Sequence, residues 1–187
     1  MRNENRPAAI QWLRTYGKTI AITVAVVFIV RWKVTEPFYI PSASMDPTLK
    51  RLDRILVSKI SYGVGEPRRW DVIVFRHPEP EGGARNFVKR VVGLPGEKLQ
   101  IIDGEIHING EVEQKPEHLR SISYSNLGRW ATKEELSIPK GSFFVLGDNT
   151  DFSNDSRGWP RPFVLRSDII GKAVVVIWPP KRIRFIR

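Results

Sequence analysis

The stretch "RNFVKRVVGLPGEKLQIIDGEIHINGEVE", residues 85–113, decides the fold class. It begins with a β-branched run, passes through the turn "GLPGE" and continues into a second apolar run. A short strand then follows between an Asp-Gly pair and an Asn-Gly pair. Such pairs between apolar runs are strong signals for tight hairpin turns. The stretch therefore predicts consecutive antiparallel strands.

Other segments carry the same pattern. Short β-branched runs closed by Gly or Pro occur at 53–63 and 70–78, and apolar runs typical of core strands occur at 143–149 and 169–180. Residues 114–137 are polar with little periodicity and are predicted to be irregular. We therefore predict a mainly β chain, with one all-β domain over residues 36–187.

An apolar segment precedes this domain. Residues 19–30, "TIAITVAVVFIV", would extend about 18 Å as a helix, short of the roughly 30 Å hydrocarbon core of a bilayer. An extension to 10–32 reaches the required length, with Trp12, Tyr16 and Trp32 as interfacial aromatics. No small-x-small cleavage site follows the segment. We predict an uncleaved membrane anchor; a buried helix of a soluble protein is the alternative.

Composition limits the function classes. Cysteine is absent, which excludes disulfides, thiolate catalysis and cysteine-based zinc sites. The formal charge of +10 favours an acidic partner, and the anchor favours anionic lipid over nucleic acid. His77, His107 and His118 show no metal-binding spacing, so neither a metal nor another cofactor is predicted.

Lys89 stands out within the central strand. In "NFVKRVVG" it shares a strand face with Phe87 and Val91, so the alternation predicts a lysine among apolar neighbours. Burial lowers the pKa of a lysine, and a neutral lysine can act as a general base. A solvated edge strand, or a side chain that extends out to water, is the alternative. With cysteine absent, a serine or threonine hydroxyl would be the nucleophile.

Two further segments carry unusual polar residues. "IPSASMDPTL", residues 40–49, places two serines between prolines directly after the apolar segment. "GDNTDFSNDSRGW", residues 147–159, is rich in carboxylates and amides but lacks the glycine and glutamate that a calcium-binding loop needs at its sixth and twelfth positions. Taken alone, residues 40–49 could be a linker and residues 147–159 a polar loop with Asx turns, so neither segment by itself establishes a functional site.

Taken together and in this order, these segments resemble type I signal peptidases, the membrane-anchored Ser/Lys endopeptidases that remove signal peptides from exported proteins. The resemblance implies Ser44 as nucleophile and Lys89 as general base. It also implies an oxyanion hole formed by the Ser42 hydroxyl and the Ser44 amide. Ser153 matches the serine that orients the lysine. Polar residues of the site framework are implied at Asp148, Asp155, Arg157 and Arg90.

The resemblance further implies shallow pockets for small substrate residues such as alanine. The implied pocket residues are Phe38, Ile40, Ile55, Phe87 and Val88. The family fold is an all-β catalytic core with an inserted β-ribbon, expected here at 103–140. The sequence departs from the family pattern at Leu52 and Trp70, where glycine is usual, and at Thr150, Phe152 and Pro160.

The resemblance also implies a setting and partners. More basic residues precede the apolar segment than follow it, which places residues 1–18 in the cytoplasm and the catalytic domain across the cytoplasmic membrane. Preprotein signal peptides and membrane lipids are the expected partners. Two alternatives remain: a related Ser/Lys peptidase that cleaves itself, and a non-catalytic membrane-tethered β-module whose basic tail, 181–187, binds lipid.

Overall fold

The computed structural model describes residues 8–63, 65–79, 82–125, 128–130 and 134–187, with the backbone alone for 8–15 and 29–33. The described chain forms one α-helix, α1 (Ala8–Val34), and twelve strands. The strands are β1 (Thr35–Tyr39), β2 (Arg54–Ser58), β3 (Val72–Pro78), β4 (Ala84–Gly93), β5 (Lys98–Ile102), β6 (Glu105–Ile108), β7 (Glu111–Val112), β8 (Leu136–Ser137), β9 (Ser142–Leu146), β10 (Val164–Leu165), β11 (Ile169–Trp178) and β12 (Arg184–Phe185).

The predicted mainly β fold with a single helix is confirmed. The larger sheet has the order β1-β2-β11-β3-β4-β9-β10, with β12 paired to β11. The smaller sheet has the order β7-β6-β5-β8. It begins at Lys98, five residues before the expected start of the β-ribbon.

The hairpin turns of the opening stretch form as predicted. Asp103 and Gly104, and likewise Asn109 and Gly110, all have positive φ. Two consecutive residues with positive φ are what a type I′ turn requires, and this turn matches the twist of the strands that it joins. These turns join β5 to β6 and β6 to β7, and so build the smaller sheet.

Residues 114–137 contribute more to the core than their polarity predicted. Leu119, Ile122 and Tyr124 are buried against Ile106 and Phe144 in one hydrophobic cluster. The sequence did not predict this packing, because the apolar residues of this segment are few and are not regularly spaced. The cluster covers one face of the smaller sheet and joins it to β9.

The helix predicted at 10–32 lies within α1. In the middle of α1, Ile22, Val24 and Phe28 are exposed. Within the described part of the chain, no helix combines the length and the apolarity needed to span a bilayer. The side chains of Trp12 and Trp32, predicted at the membrane interface, and residues 1–7 lie outside the described residues.

Candidate active site

A cleft of about 480 Å³ opens on the larger sheet, where the end of β1 faces the first half of β4. Its lining includes seven residues singled out in the sequence: Phe38, Ile40, Ser42, Ser44, Phe87, Val88 and Lys89. Ile55 is the exception among the pocket residues, because it pairs with Phe38 across β1 and β2 and is completely buried in the core. Ile55 therefore supports the cleft wall from behind without lining it.

The geometry joins Lys89 to Ser44. Lys89 Nζ lies 2.6 Å from Ser44 Oγ, and Lys89 is 2% exposed, so the solvated alternative for this lysine is wrong. Burial lowers the pKa of Lys89 to about 8, while the carboxylates of Asp155 and Asp148 act in the opposite direction. An amine with this pKa is neutral in an appreciable fraction of molecules near pH 7 and can accept a proton from a hydroxyl.

The loop after β1 carries both serines. Ser42 Oγ lies 3.3 Å from Ser44 Oγ, so the two hydroxyls share one end of the cleft. Met45 and Leu49 are buried in the core beneath the loop and anchor it. The backbone N–H of Leu49 donates to the carbonyl of Met45 at 2.7 Å, which closes the turn. The tight packing of this loop fixes the position of Ser44.

Asn149 also holds the Ser44 loop, a role that sequence reasoning missed. Its backbone N–H donates to the Ser44 carbonyl at 3.1 Å, and its Nδ2 donates to the Ala43 carbonyl at 3.0 Å. Gly147 packs close by, since a Cβ there would collide with the Ser44 carbonyl and with Ser153. The only signal in the sequence was the string "GDN" itself.

Ser153 does not make the contact that the resemblance implied. Its hydroxyl oxygen is buried beside Gly147 and has no hydrogen-bond partner among the described residues. The Lys89 amine is directed to Ser44 Oγ instead. The lysine-orienting hydrogen bond is therefore absent here, although Ser153 lies next to the site.

Arg90 and Asp148 form a buried ion pair behind Lys89. Arg90 Nε and Nη2 donate to the two Asp148 oxygens at 2.8 and 2.7 Å, and neither side chain is exposed. Arg90 also donates to the carbonyls of Trp70 and Arg187 and to Thr48 Oγ1. Because its donors are this well satisfied, the guanidinium can stay charged inside the core.

Asp155 and Arg157 form a second buried pair that shapes the 147–157 loop. Arg157 Nε donates to Asp155 Oδ1, and Arg157 Nη2 donates to Asp155 Oδ2, each at 2.9 Å. Asp155 Oδ2 also accepts the N–H of Gly147 at 3.0 Å. The four predicted framework residues thus form two buried ion pairs, one that joins β4 to the loop after β9 and one within that loop.

Two of the departures from the family pattern, Leu52 and Trp70, have an unusual backbone conformation. Leu52 has φ 76° and Trp70 has φ 73°, in the left-handed region that glycine occupies most easily. Glycine, the residue that the resemblance implies at both positions, would adopt this conformation without strain. Thr150 accepts hydrogen bonds from Arg157 and from the Ser125 N–H, while Phe152 lies on the cleft wall. The structure offers no account of Pro160.

A mainly β core with a serine hydroxyl beside a buried lysine is a serine-peptidase arrangement, and comparison with known proteins agrees. The family model described as "Signal peptidase, peptidase S26" matches residues 13–178. The chain therefore belongs to the signal peptidase family S26, a family of hydrolases whose substrates are preproteins that carry signal peptides. This membership sets aside a non-catalytic β-module.

Individual relatives are similar over most of their length. A signal peptidase I from Leptolyngbya laminosa is 40% identical, with 96% of this chain and 86% of the relative covered. A signal peptidase I from Pseudomonas aeruginosa is 36% identical, with 95% of this chain and 79% of the relative covered. A crystal structure of a signal peptidase I from Enterococcus faecalis is 32% identical, with a TM-score of 0.45, and covers 58% of this chain and 97% of that chain.

Proposed function

We propose that this chain cleaves signal peptides from exported preproteins with Ser44 as nucleophile and Lys89 as general base. The observation that carries the proposal is the 2.6 Å contact between Ser44 Oγ and the buried Lys89 Nζ on the cleft. No cofactor enters the reaction, because the hydroxyl and the amine supply nucleophile and base.

The reaction proceeds in two stages. Neutral Lys89 takes the Ser44 proton while Oγ bonds to the scissile carbonyl carbon, and the Ser42 hydroxyl and Ser44 N–H donate to the oxyanion. The tetrahedral intermediate then breaks its C–N bond as the Lys89 ammonium protonates the leaving amine. Water then attacks the carbonyl carbon of the acyl-enzyme while Lys89 accepts a proton from it. The bond from that carbon to Ser44 Oγ breaks as Lys89 returns the proton to Oγ, and the signal peptide leaves with a free carboxylate.

Unpaired strand edges favour an extended substrate. The described part of β1 pairs with β2 only, and the Ala84–Lys89 part of β4 pairs with β3 only. A peptide between these edges would bind by strand addition, with its alternate side chains directed into the cleft. Phe38, Ile40, Phe87 and Val88 then limit the residues before the cleaved bond to small ones such as alanine.

Two surfaces support a position at the cytoplasmic membrane. The exposed apolar middle of α1 supports an anchor, with residues 1–18 in the cytoplasm and the β domain on the other side. At the end of the chain, Trp178, Ile183 and Phe185 are exposed beside basic residues of the 181–187 tail, a combination suited to anionic lipid.

Alkaline extraction of membranes tests the anchor. The full chain should stay with the membranes, and Ile22→Asp combined with Val26→Asp should release it.

Cleavage of a preprotein by the purified protein tests the activity. The wild type should release a mature protein whose new N-terminus follows a small residue. Ser44→Ala, Lys89→Ala and Lys89→Arg should each abolish cleavage, the last because a guanidinium does not deprotonate in proteins. Circular dichroism confirms that each variant is folded. Cleavage at the wild-type rate by any folded variant contradicts the assignment.

A further inference from the structure

Phe152 presents an aromatic ring at the active-site cleft that the reaction described above does not use. It lines the cleft together with Ser44 and Lys89, yet it is 79% exposed. A single exposed apolar side chain on a protein surface needs no explanation. A phenyl ring on the wall of a substrate cleft is different, because a bound substrate can bury it there.

The backbone around Phe152 is held in place before any substrate arrives. On one side, the Thr150 carbonyl accepts from Arg157 Nη2 at 2.6 Å, and Thr150 Oγ1 accepts from the Ser125 N–H at 2.7 Å. On the other side, Asn154 Oδ1 accepts from Trp159 Nε1 at 2.9 Å. The Phe152 N–H itself donates to the Asn149 carbonyl at 3.2 Å. A fixed backbone lowers the entropy lost on binding, as is typical of aromatic anchors in binding sites.

Its place in the chain limits which part of a substrate Phe152 can touch. The next residue, Ser153, packs on Gly147, which also lies beside the Ser44 carbonyl. Consecutive Cα atoms are about 3.8 Å apart, so Phe152 lies within a few residues' reach of the reacting bond. Phe152 belongs to the loop after β9, whereas the implied pocket residues that line the cleft lie on β4 and around the end of β1. Phe152 therefore approaches the cleft from a different segment of the chain than the residues expected to select small side chains.

We propose that Phe152 is a specificity-determining residue, which binds one apolar side chain of the substrate within about three residues of the cleaved bond. This inference rests on the proposed function of the cleft. A phenyl ring offers apolar surface without hydrogen-bonding groups, so it gives this chain a preference that an amide side chain at position 152 would not supply. Burial of the ring against an apolar side chain favours substrates that carry one, and a polar residue at that position forgoes the gain.

A peptide panel tests the preference. Each peptide has one cleavage site, and leucine or asparagine is placed in turn at every position from three before to three after the cleaved bond, except those that require small residues. For the wild type, one position should favour leucine by about tenfold in kcat/KM, mainly through KM. Phe152→Asn should remove this difference, Phe152→Leu should keep most of it, and the remaining positions should be unaffected.

Val112→Asn is the matched control, because Val112 is an exposed apolar residue on β7, outside the cleft lining. It should keep the wild-type profile at every position. A Phe152→Asn variant that lowers kcat/KM equally for all peptides, or for none, overturns the proposal. Failure of the wild type to cut any peptide instead refutes the proposed function.

Crosslinking gives a readout independent of turnover. In a Ser44→Ala background, benzoylphenylalanine at position 152 should crosslink a bound peptide at the position that the panel identifies. The same probe at Tyr39, which also lines the cleft, shows that the peptide is bound. Crosslinks from position 39 without any from position 152 would contradict contact between Phe152 and the substrate.

Discussion

The buried lysine predicts how activity depends on pH. Burial lowers the pKa of Lys89 from 10.5 to about 8, and only the neutral amine can accept the Ser44 proton. The neutral fraction is then about one hundredth at pH 6 and about one tenth at pH 7. We therefore expect kcat/KM for a peptide to rise about tenfold between pH 6 and pH 7 and to level off above about pH 9.

The lowered pKa of Lys89 also predicts an effect on the stability of the fold. The pKa of Lys89 is lower in the folded state than in the unfolded state, so burial of the ammonium lowers the free energy of unfolding. This destabilisation has its full size below pH 8 and disappears as the pH rises towards 10.5. Lys89→Met should therefore raise the free energy of unfolding at pH 7 by up to about 3 kcal/mol, with the difference shrinking above pH 8. Lys140→Met, at an exposed lysine, should change it by less than about 0.5 kcal/mol.

Initial rates with a peptide substrate between pH 5.5 and pH 10 measure the first effect, with circular dichroism to show that the chain is folded throughout. Urea unfolding at pH 7 and pH 10 measures the second. Activity that is flat from pH 6 to pH 9, or that rises only near pH 10.5, would refute Lys89 as the base. A Lys89→Met variant that is less stable than the wild type at pH 7 would refute the claim that burial of the charged amine lowers the free energy of unfolding.

Three further substitutions test individual contacts. Leu52→Gly should raise the free energy of unfolding by up to about 1 kcal/mol in urea melts, because it removes the backbone strain of a largely exposed leucine with positive φ. The control Leu165→Gly, at φ −75°, should lower the free energy of unfolding. Asp148→Ala should cost about 3–5 kcal/mol in the same assay by leaving the Arg90 guanidinium buried and unpaired, whereas Glu66→Ala at an exposed pair should cost less than about 1 kcal/mol. Ser42→Ala should lower kcat by about 100- to 1,000-fold with the fold unchanged, and a loss below threefold would remove Ser42 from the oxyanion hole.

Local sequence signals accounted for much of the fold. The Asp103-Gly104 and Asn109-Gly110 turns formed as predicted because a type I′ turn depends on the conformations of two adjacent residues. The start of the smaller sheet was harder to place. The turn signal marks where β5 ends, but whether β5 joins one sheet or the other depends on its pairing with β8, more than thirty residues later.

The sequence by itself determined the strand pattern and the residue types that the chemistry needs: two serines two residues apart, a lysine on an apolar strand face, and no cysteine. Only the tertiary structure decided that Lys89 meets Ser44 across 45 residues of chain and that Ile55 lies behind the cleft wall. It also decided that the Ser153 hydroxyl has no hydrogen-bond partner among the residues that the structure describes. It also brought Asn149 against the Ser44 loop and Phe152 to the cleft. Local patterns constrain neighbours along the chain, whereas hydrogen bonds and burial at the site depend on which distant segments pack together.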